Sequence, residues 1–201
     1  MKTKFKHILV ILCLSMISCE GNLEPELFDQ ITPENFLTNE DDVKTAVTGV
    51  YAEFRGISEW GRYKTSWGSV MTLQEVPTDL WAANWFYKAH TDFMWKATDY
   101  FVCEIFEFFV PAITKATALI ARIQDAPVSD DIKNRYIAEL RVVRALWMYD
   151  LFDLYGPVPA ITDPEKILNP TQDFTVTRPS REEYITFVET CLLYTSPSPR
   201  D

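Results

Sequence analysis

The chain has 201 residues, a net charge of −10, an apolar share of 47% and an aromatic share of 14%. That much apolar surface excludes a disordered chain, and the length allows one domain with a sizeable core. The acidic balance argues against nucleic-acid backbones as partners, because those are held by stripes of Lys and Arg.

The first 18 residues read as a targeting segment, not as part of the fold. Lys2, Lys4 and Lys6 precede an apolar run from Ile8 to Ile17 that is too short to span a bilayer. Met16-Ile17-Ser18-Cys19 has the form of a lipobox, with Met16 where Leu is usual, so Cys19 is the expected lipidation site. The alternative is an ordinary secretory peptide with a chance cysteine. Loss of residues 1–18 takes the net charge to −13, since the three lysines are their only charged side chains. Residues 19–30, with Glu20, Glu24, Pro25 and Glu26, read as an extended acidic tether. After Cys13 and Cys19, only Cys103 and Cys191 remain, far apart and without metal-ligand spacing. Cys103 is expected in the core.

The remainder reads as all-α. Gln30–Leu37 carries a short helical signal, with Thr32 as N-cap and Pro33 at the first position. Thr38 and Asp41 form a second capping signature. Behind them Val43, Ala46, Val47, Val50, Tyr51 and Phe54 recur at helical spacing, predicting a helix over 39–56 that ends near Gly56. Ala46 and Gly49 are expected to let another helix pack closely. Trp67 to Val76 predicts a further helix, stopped by Pro77. Thr78 to Tyr87 lacks a clean period and reads as a loop with short turns. From Asp99 to Gln124 the stripe Phe106, Phe109, Ile113, Ala116 and Ile120 predicts a long helix, which Pro111 should kink or divide.

Ser129 is the expected N-cap of the helix around which the chain is organised. In it Tyr136, Leu140, Val143, Trp147, Leu151 and Leu154 share one face, while Arg135, Glu139 and Asp153 lie opposite. Gly156 supplies the C-cap, and Pro157 and Pro159 prevent continuation. Arg144 falls on the apolar face, so it either snorkels to the surface or is buried against a carboxylate. After Pro159 the chain reads as irregular up to Pro179. Ser180 and Glu183 then make a capping box for a last helix. Residues 191–201, CLLYTSPSPRD, break that pattern and resemble translated sequencing-adaptor read-through, so they are expected to be a non-native tail on the N-terminal part of a longer protein.

Chemistry is sparse. His90 is the one histidine beyond the targeting segment, which excludes His-x-x-x-His zinc sites and leaves any Ser/His/Asp triad resting on it alone. It is expected to be a surface or satisfied loop histidine. No Gly-rich phosphate loop is present, and no cofactor or metal is expected. Asp79 and Asp92 are the one carboxylate pair worth nominating for glycoside hydrolysis, against the plainer reading that they cap turns. The informative stretch holds Trp81, Asn84, Trp85 and Tyr87. Indole faces complement the C–H face of a pyranose, and an amide both donates to and accepts from hydroxyls. Trp81 and Asn84 would share one side of a helical turn. The competing reading packs these rings into the core or against a partner.

Within AELRVVRALWMYDLFDLYGPVPAIT, the residues Glu139, Arg144, Ala145, Leu151, Tyr155, Gly156, Val158 and Pro159 resemble the signature of the SusD/RagB family of outer-membrane nutrient-binding lipoproteins. Phe36-Leu37 and Ala46-Val47-x-Gly49-x-Tyr51 resemble that family's first helix. Thr117 departs from it, since the family often has Asn there. The resemblance covers roughly residues 19–190, with 31–190 as the truncated N-terminal part of a SusD-like domain. It implies an all-α fold of tetratricopeptide-like helix pairs, with Glu139, Arg144, Gly156 and Pro159 structural. It also implies a lipid-anchored, surface-exposed outer-membrane protein that captures an oligosaccharide for a SusC-like TonB-dependent transporter without bond cleavage. A Trp-x-x-Asn in this region of such proteins contributes to the glycan platform. Alternatives are a peptide-capturing RagB-like lipoprotein, an interaction scaffold, or a surface glycosidase.

Overall fold

Residues 37–55, 70–81, 87–168 and 175–193 are described by a computed structural model. Their elements, in chain order, are α1 (Glu40–Ala52) with a 3-10 turn at Glu53–Arg55, α2 (Val70–Glu75), α3 (Lys88–Thr91), α4 (Tyr100–Asp125), α5 (Asp130–Tyr155), α6 (Pro164–Leu168) and α7 (Arg181–Leu193). The described residues contain no strand. The targeting segment, Cys19, the acidic tether and the Thr32–Pro33 signal lie outside them.

The centre is the α4–α5 hairpin. A link of residues 126–129 is too short for anything but antiparallel neighbours, and the contacts agree: Tyr155 at the end of α5 donates its hydroxyl to the carbonyl of Val102 near the start of α4, at 2.6 Å. Ile105, Phe109 and Ile113 of α4 meet Leu140, Trp147 and Leu151 of α5, all without solvent exposure. The stripe of α5 thus buries as its periodicity predicts, except Leu154, which is half-buried. α1 lies across the hairpin. Its following turn sets Phe54 5.0 Å from the ring of Trp147, and Lys115 pairs with Glu53 at 2.5 Å. α7 runs antiparallel to α5: Tyr184 donates to the carbonyl of Met148 at 2.9 Å, while Cys191 reaches Arg144 further back along α5.

Helix starts follow side-chain chemistry. At α7 the Glu183 carboxylate accepts from the Ser180 N–H at 2.8 Å, and Ser180 Oγ accepts from the Glu183 N–H at 3.2 Å, a complete capping box. At α1 the cap sits one residue later than the Thr38–Asp41 reading. Asn39 accepts from the Asp42 N–H at 3.0 Å, and the Asp42 carboxylate accepts from both the N–H and the hydroxyl of Thr38. These bonds hold the Asp42 carboxyl below its usual range. Ser129 occupies the N-cap of α5 in extended conformation, but its side chain makes no capping bond. Gly156 ends α5 at φ +73°, a left-handed backbone that a side chain would strain. The reversal there buries Val158 completely.

Five expectations need correction. α4 is not divided at Pro111 but runs through it as one helix of 26 residues. Pro111 faces solvent, and the buried residues on both sides of it, Phe109, Ala112 and Ile113 among them, offset a proline penalty of about 3 kcal/mol from the lost backbone bond and the ring clash. Phe106 is only half-buried, as is Cys103, whose thiol donates to the Ala97 carbonyl at 3.0 Å. A Cβ at Gly49 would meet nothing within 4 Å, so close packing does not require that glycine. The stretch after Pro159 contains the short helix α6.

Arg144 follows neither alternative read from its place on α5. It is buried at 7% exposure, yet both of its hydrogen bonds go to neutral atoms. One nitrogen donates to Thr117 Oγ1 at 2.9 Å and the other to Cys191 Sγ at 3.2 Å. The guanidinium also lies 4.9 Å from the ring centre of Phe187. Thr117 passes the interaction on, donating to the Ile113 carbonyl at 2.9 Å. Arg144 therefore ties α4, α5 and α7 together. Cys191, expected in the non-native tail, continues α7 and is buried at 2% exposure.

Candidate functional site

α2 ends where Thr78 turns the chain. The Thr78 N–H and hydroxyl both bond the Glu75 carbonyl, at 3.0 and 2.6 Å. Leu80 and Trp81 follow at 84% and 43% exposure, so the Trp81 indole is offered to solvent. Asn84 and Trp85 lie outside the described residues, and with them the expectation that Trp81 and Asn84 share one side of a turn. Tyr87 is half-buried with its ring 5.3 Å from Phe101, so packing against α4 engages it. Burial pushes its phenol up from the ordinary range.

The short helix α3 ends in an unusual way. The N–H of Met94 bonds the Ala89 carbonyl at 2.8 Å, and that of Phe93 bonds the His90 carbonyl at 3.3 Å. This is the paired-bond ending that normally places glycine at the left-handed position. Here Phe93 occupies it, at φ +57°. A bulky residue held there costs roughly 1–2 kcal/mol. The strained turn presents Phe93, Met94 and Trp95 to solvent at 67%, 71% and 42% exposure, and Tyr100 follows at 68%. Phe93 and Trp95 lie 5.6 Å apart, ring centre to ring centre. Residues 93–100 thus form an aromatic edge that sequence reading missed. The signal was present as Phe93-Met94-Trp95, but a three-residue apolar run does not say which way it faces.

His90 was expected at the surface or hydrogen-bonded, and it is neither. It is 4% exposed, and neither ring nitrogen has a hydrogen-bond partner among the described residues. Trp95 stacks on it at 6.0 Å and Phe101 meets it edge-on at 5.6 Å. Loss of solvent pushes its pKa below the ordinary value, against a smaller upward pull from the Asp99 carboxylate. His90 lines a cavity of about 350 Å³ together with Leu73, Pro77, Trp95, Leu154 and Tyr155.

The nominated carboxylates do not form an enclosed pair. Asp79 is exposed, and Asp92 caps α3 and pairs with Lys88 at 2.6 Å on the surface. No cluster of His, Cys, Asp and Glu able to hold a metal occurs among the described residues, and no described helix is long and apolar enough to cross a membrane. Two further signature residues have described surroundings. Glu139 accepts from the Tyr51 hydroxyl at 3.3 Å and lies 3.5 Å from Arg135. Pro159 is half-buried beyond the Gly156 reversal. A cleft of about 310 Å³ lies between α5, α6 and α7, lined by Met148, Val158, Ile161, Lys166, Tyr184 and Phe187 among others.

No family model matches the chain. It is 24% identical over 175 residues to the SusD-like protein P25 of Formosa agariphila, covering 82% of this chain and 32% of that protein. A solved crystal structure shares its fold with a TM-score of 0.56 at 22% identity, covering 79% of this chain and 30% of the other. The chain therefore spans about a third of the length of the relatives it matches.

Proposed function

We propose that this chain, SusD-like in sequence and in its all-α fold, is the N-terminal part of a nutrient-binding lipoprotein of the bacterial outer membrane. Within that reading it captures oligosaccharides at the cell surface and passes them to a SusC-like TonB-dependent transporter, without cleaving them. Cys19 carries the lipid anchor. Trp81, Asn84, Trp85 and Tyr87 contribute the glycan contacts from this part of the protein, and Phe93 and Trp95 extend them.

The observation that supports this reading best is the pattern of exposure. Among the described residues six large apolar side chains from Leu80 to Tyr100 face solvent, four of them aromatic, while the frame also exposes Tyr51, Val142, Leu146, Tyr149, Leu192 and Leu193. Flat aromatic faces suit pyranose rings, and such exposure is otherwise unfavourable. The surface setting of Asp79 and Asp92 supports binding over hydrolysis.

The test is calorimetric titration of the full-length protein with a panel of oligosaccharides, with product analysis alongside. The reading expects saturable binding without turnover, weakened at least tenfold by Trp81→Ala with Asn84→Ala. Unchanged affinity in that double variant removes the site assignment. Saturable binding of peptides but no glycan assigns the protein to the peptide-capturing class.

A further inference from the structure

We infer that the outward face of α5, at Val142, Leu146 and Tyr149, is a docking surface for a helix of the polypeptide that follows α7 in the full-length protein. The other sides of α5 are taken. Trp147 meets Phe109 of α4, Phe152 and the Met148 carbonyl meet Tyr184 of α7, and Glu139 meets Tyr51 of α1. On the remaining side, the exposed positions between Leu140 and Phe152 are Val142, Leu146 and Tyr149, at 40%, 40% and 59% exposure. Two are aliphatic, one is aromatic and none is charged. Their spacing of four and three residues makes one ridge about two turns long. The neighbouring helices face solvent differently. Their exposed positions carry polar or charged side chains, such as Glu107, Lys115 and Arg122 on α4, and Glu182, Thr186 and Glu189 on α7. A helix side that stays in water is normally built that way.

The occupant follows from reach and area. The chain spans about a third of the length of the relatives it matches, so in the reading proposed above further polypeptide follows α7. The inference rests on that reading. α7 runs antiparallel to α5, and Cys191 reaches Arg144, which is two residues from both Val142 and Leu146. The following polypeptide therefore starts beside this face. A ridge of three side chains offers far less than the roughly 800 Å² per partner of a stable interface between separate molecules. A tethered segment does not lose the full freedom of a separate molecule, so a small ridge is enough to hold it. Ridges of this spacing pack into the groove of another helix. At both ends the ridge meets polar groups that are already engaged. The Glu139 carboxylate accepts from the Tyr51 hydroxyl at 3.3 Å, and the Asp153 carboxylate accepts from the Gln74 amide at 2.8 Å. The apolar centre between them is the surface to be covered.

The experiment is maleimide labelling of the purified full-length protein at two protein concentrations. The variants are Leu146→Cys, Tyr149→Cys and, as a control on the polar face of α4, Glu107→Cys, with the modified site located by mass spectrometry. The inference expects positions 146 and 149 to label at least tenfold more slowly than position 107 at both concentrations, because the covering helix must open first. If both ridge variants fail to fold while Glu107→Cys folds, the ridge is covered too, since a cysteine at a solvent-facing position disturbs little. Labelling at 146 and 149 as fast as at 107 would overturn the inference. Protection that vanishes on dilution would also overturn it, assigning the face to a second copy of the chain. Glycan titrations do not enter these outcomes, so failure of the glycan site leaves the inference standing. A native gene product that ends just after α7 would defeat both this inference and the reading of the chain as part of a longer protein.

Discussion

Arg144 and His90 are both polar, both buried and both on helices that touch α4, yet their surroundings differ. Arg144 sits inside the frame, where Thr117, Cys191 and the Phe187 ring occupy the two terminal nitrogens and one face of its guanidinium. His90 sits at the aromatic edge, where rings cover it and no partner meets its nitrogens among the described residues. The first arrangement closes a core, although Arg144 Nε and Trp147 Nε1 also lack a partner among the described residues. The second leaves two ring nitrogens buried without a partner among the described residues, next to a strained turn and a row of exposed rings. The packed frame and the exposed aromatic edge are thus different regions of one helical domain.

The largest effect should come from the frame. Trp147 is fully buried against Phe54 and Phe109, and Trp147→Ala should destabilise by about 3–5 kcal/mol in chemical denaturation. An effect below about 1 kcal/mol would mean the hairpin core lies elsewhere. Arg144 sharpens the contrast further. Arg144→Ala leaves a void and should lose roughly 2–4 kcal/mol. Arg144→Met fills the space, and Thr117 keeps its bond to Ile113. Because no carboxylate is left unpaired, it should stay within about 1 kcal/mol of wild type or gain stability. Equal losses in both variants would show that the cation itself is required.

Between pH 7.5 and 5 the edge should respond to acid through His90. His90 has a folded pKa below its ordinary value of 6.5. The unfolded chain therefore takes up a proton first as pH falls through that value, and the folded state loses stability from there downward. Thermal melts between pH 7.5 and 5 should show this loss, and His90→Phe should reduce it. A slope unchanged by the substitution would place the sensitivity in other groups. Smallest of all, Gly49→Ala on α1 meets no neighbour and should stabilise by about 1 kcal/mol through helix propensity.

Much of the frame was legible because its signals are local. The stripe from Tyr136 to Leu151, the Ser180–Glu183 box and the Gly156 stop are each set by residues within a few turns, and each formed. Partners distant in sequence were not legible. The acceptors of Arg144 come from positions 117 and 191, and nothing near Arg144 names them. The burial of His90 depends on Trp95, which the turn after α3 folds back onto it, and on Phe101, which the packing of α3 against α4 brings to it. Pro111 misled because its helix penalty is local, while the burial that offsets it spans the whole hairpin. At the candidate site the sequence left Trp81 open between solvent and core, and the outward display of Phe93 depends on a left-handed backbone that favours glycine and gave no warning in the sequence.

Phe93 offers the most direct test, because there stability and binding should move in opposite directions. In Phe93→Gly the strained position receives the residue that suits it, so the melting temperature of the full-length protein should rise, by the equivalent of about 1 kcal/mol. The same change removes a ring from the aromatic edge, so oligosaccharide affinity should fall severalfold. A higher melting temperature with unchanged affinity would contradict the account, because the strain would then serve no ligand.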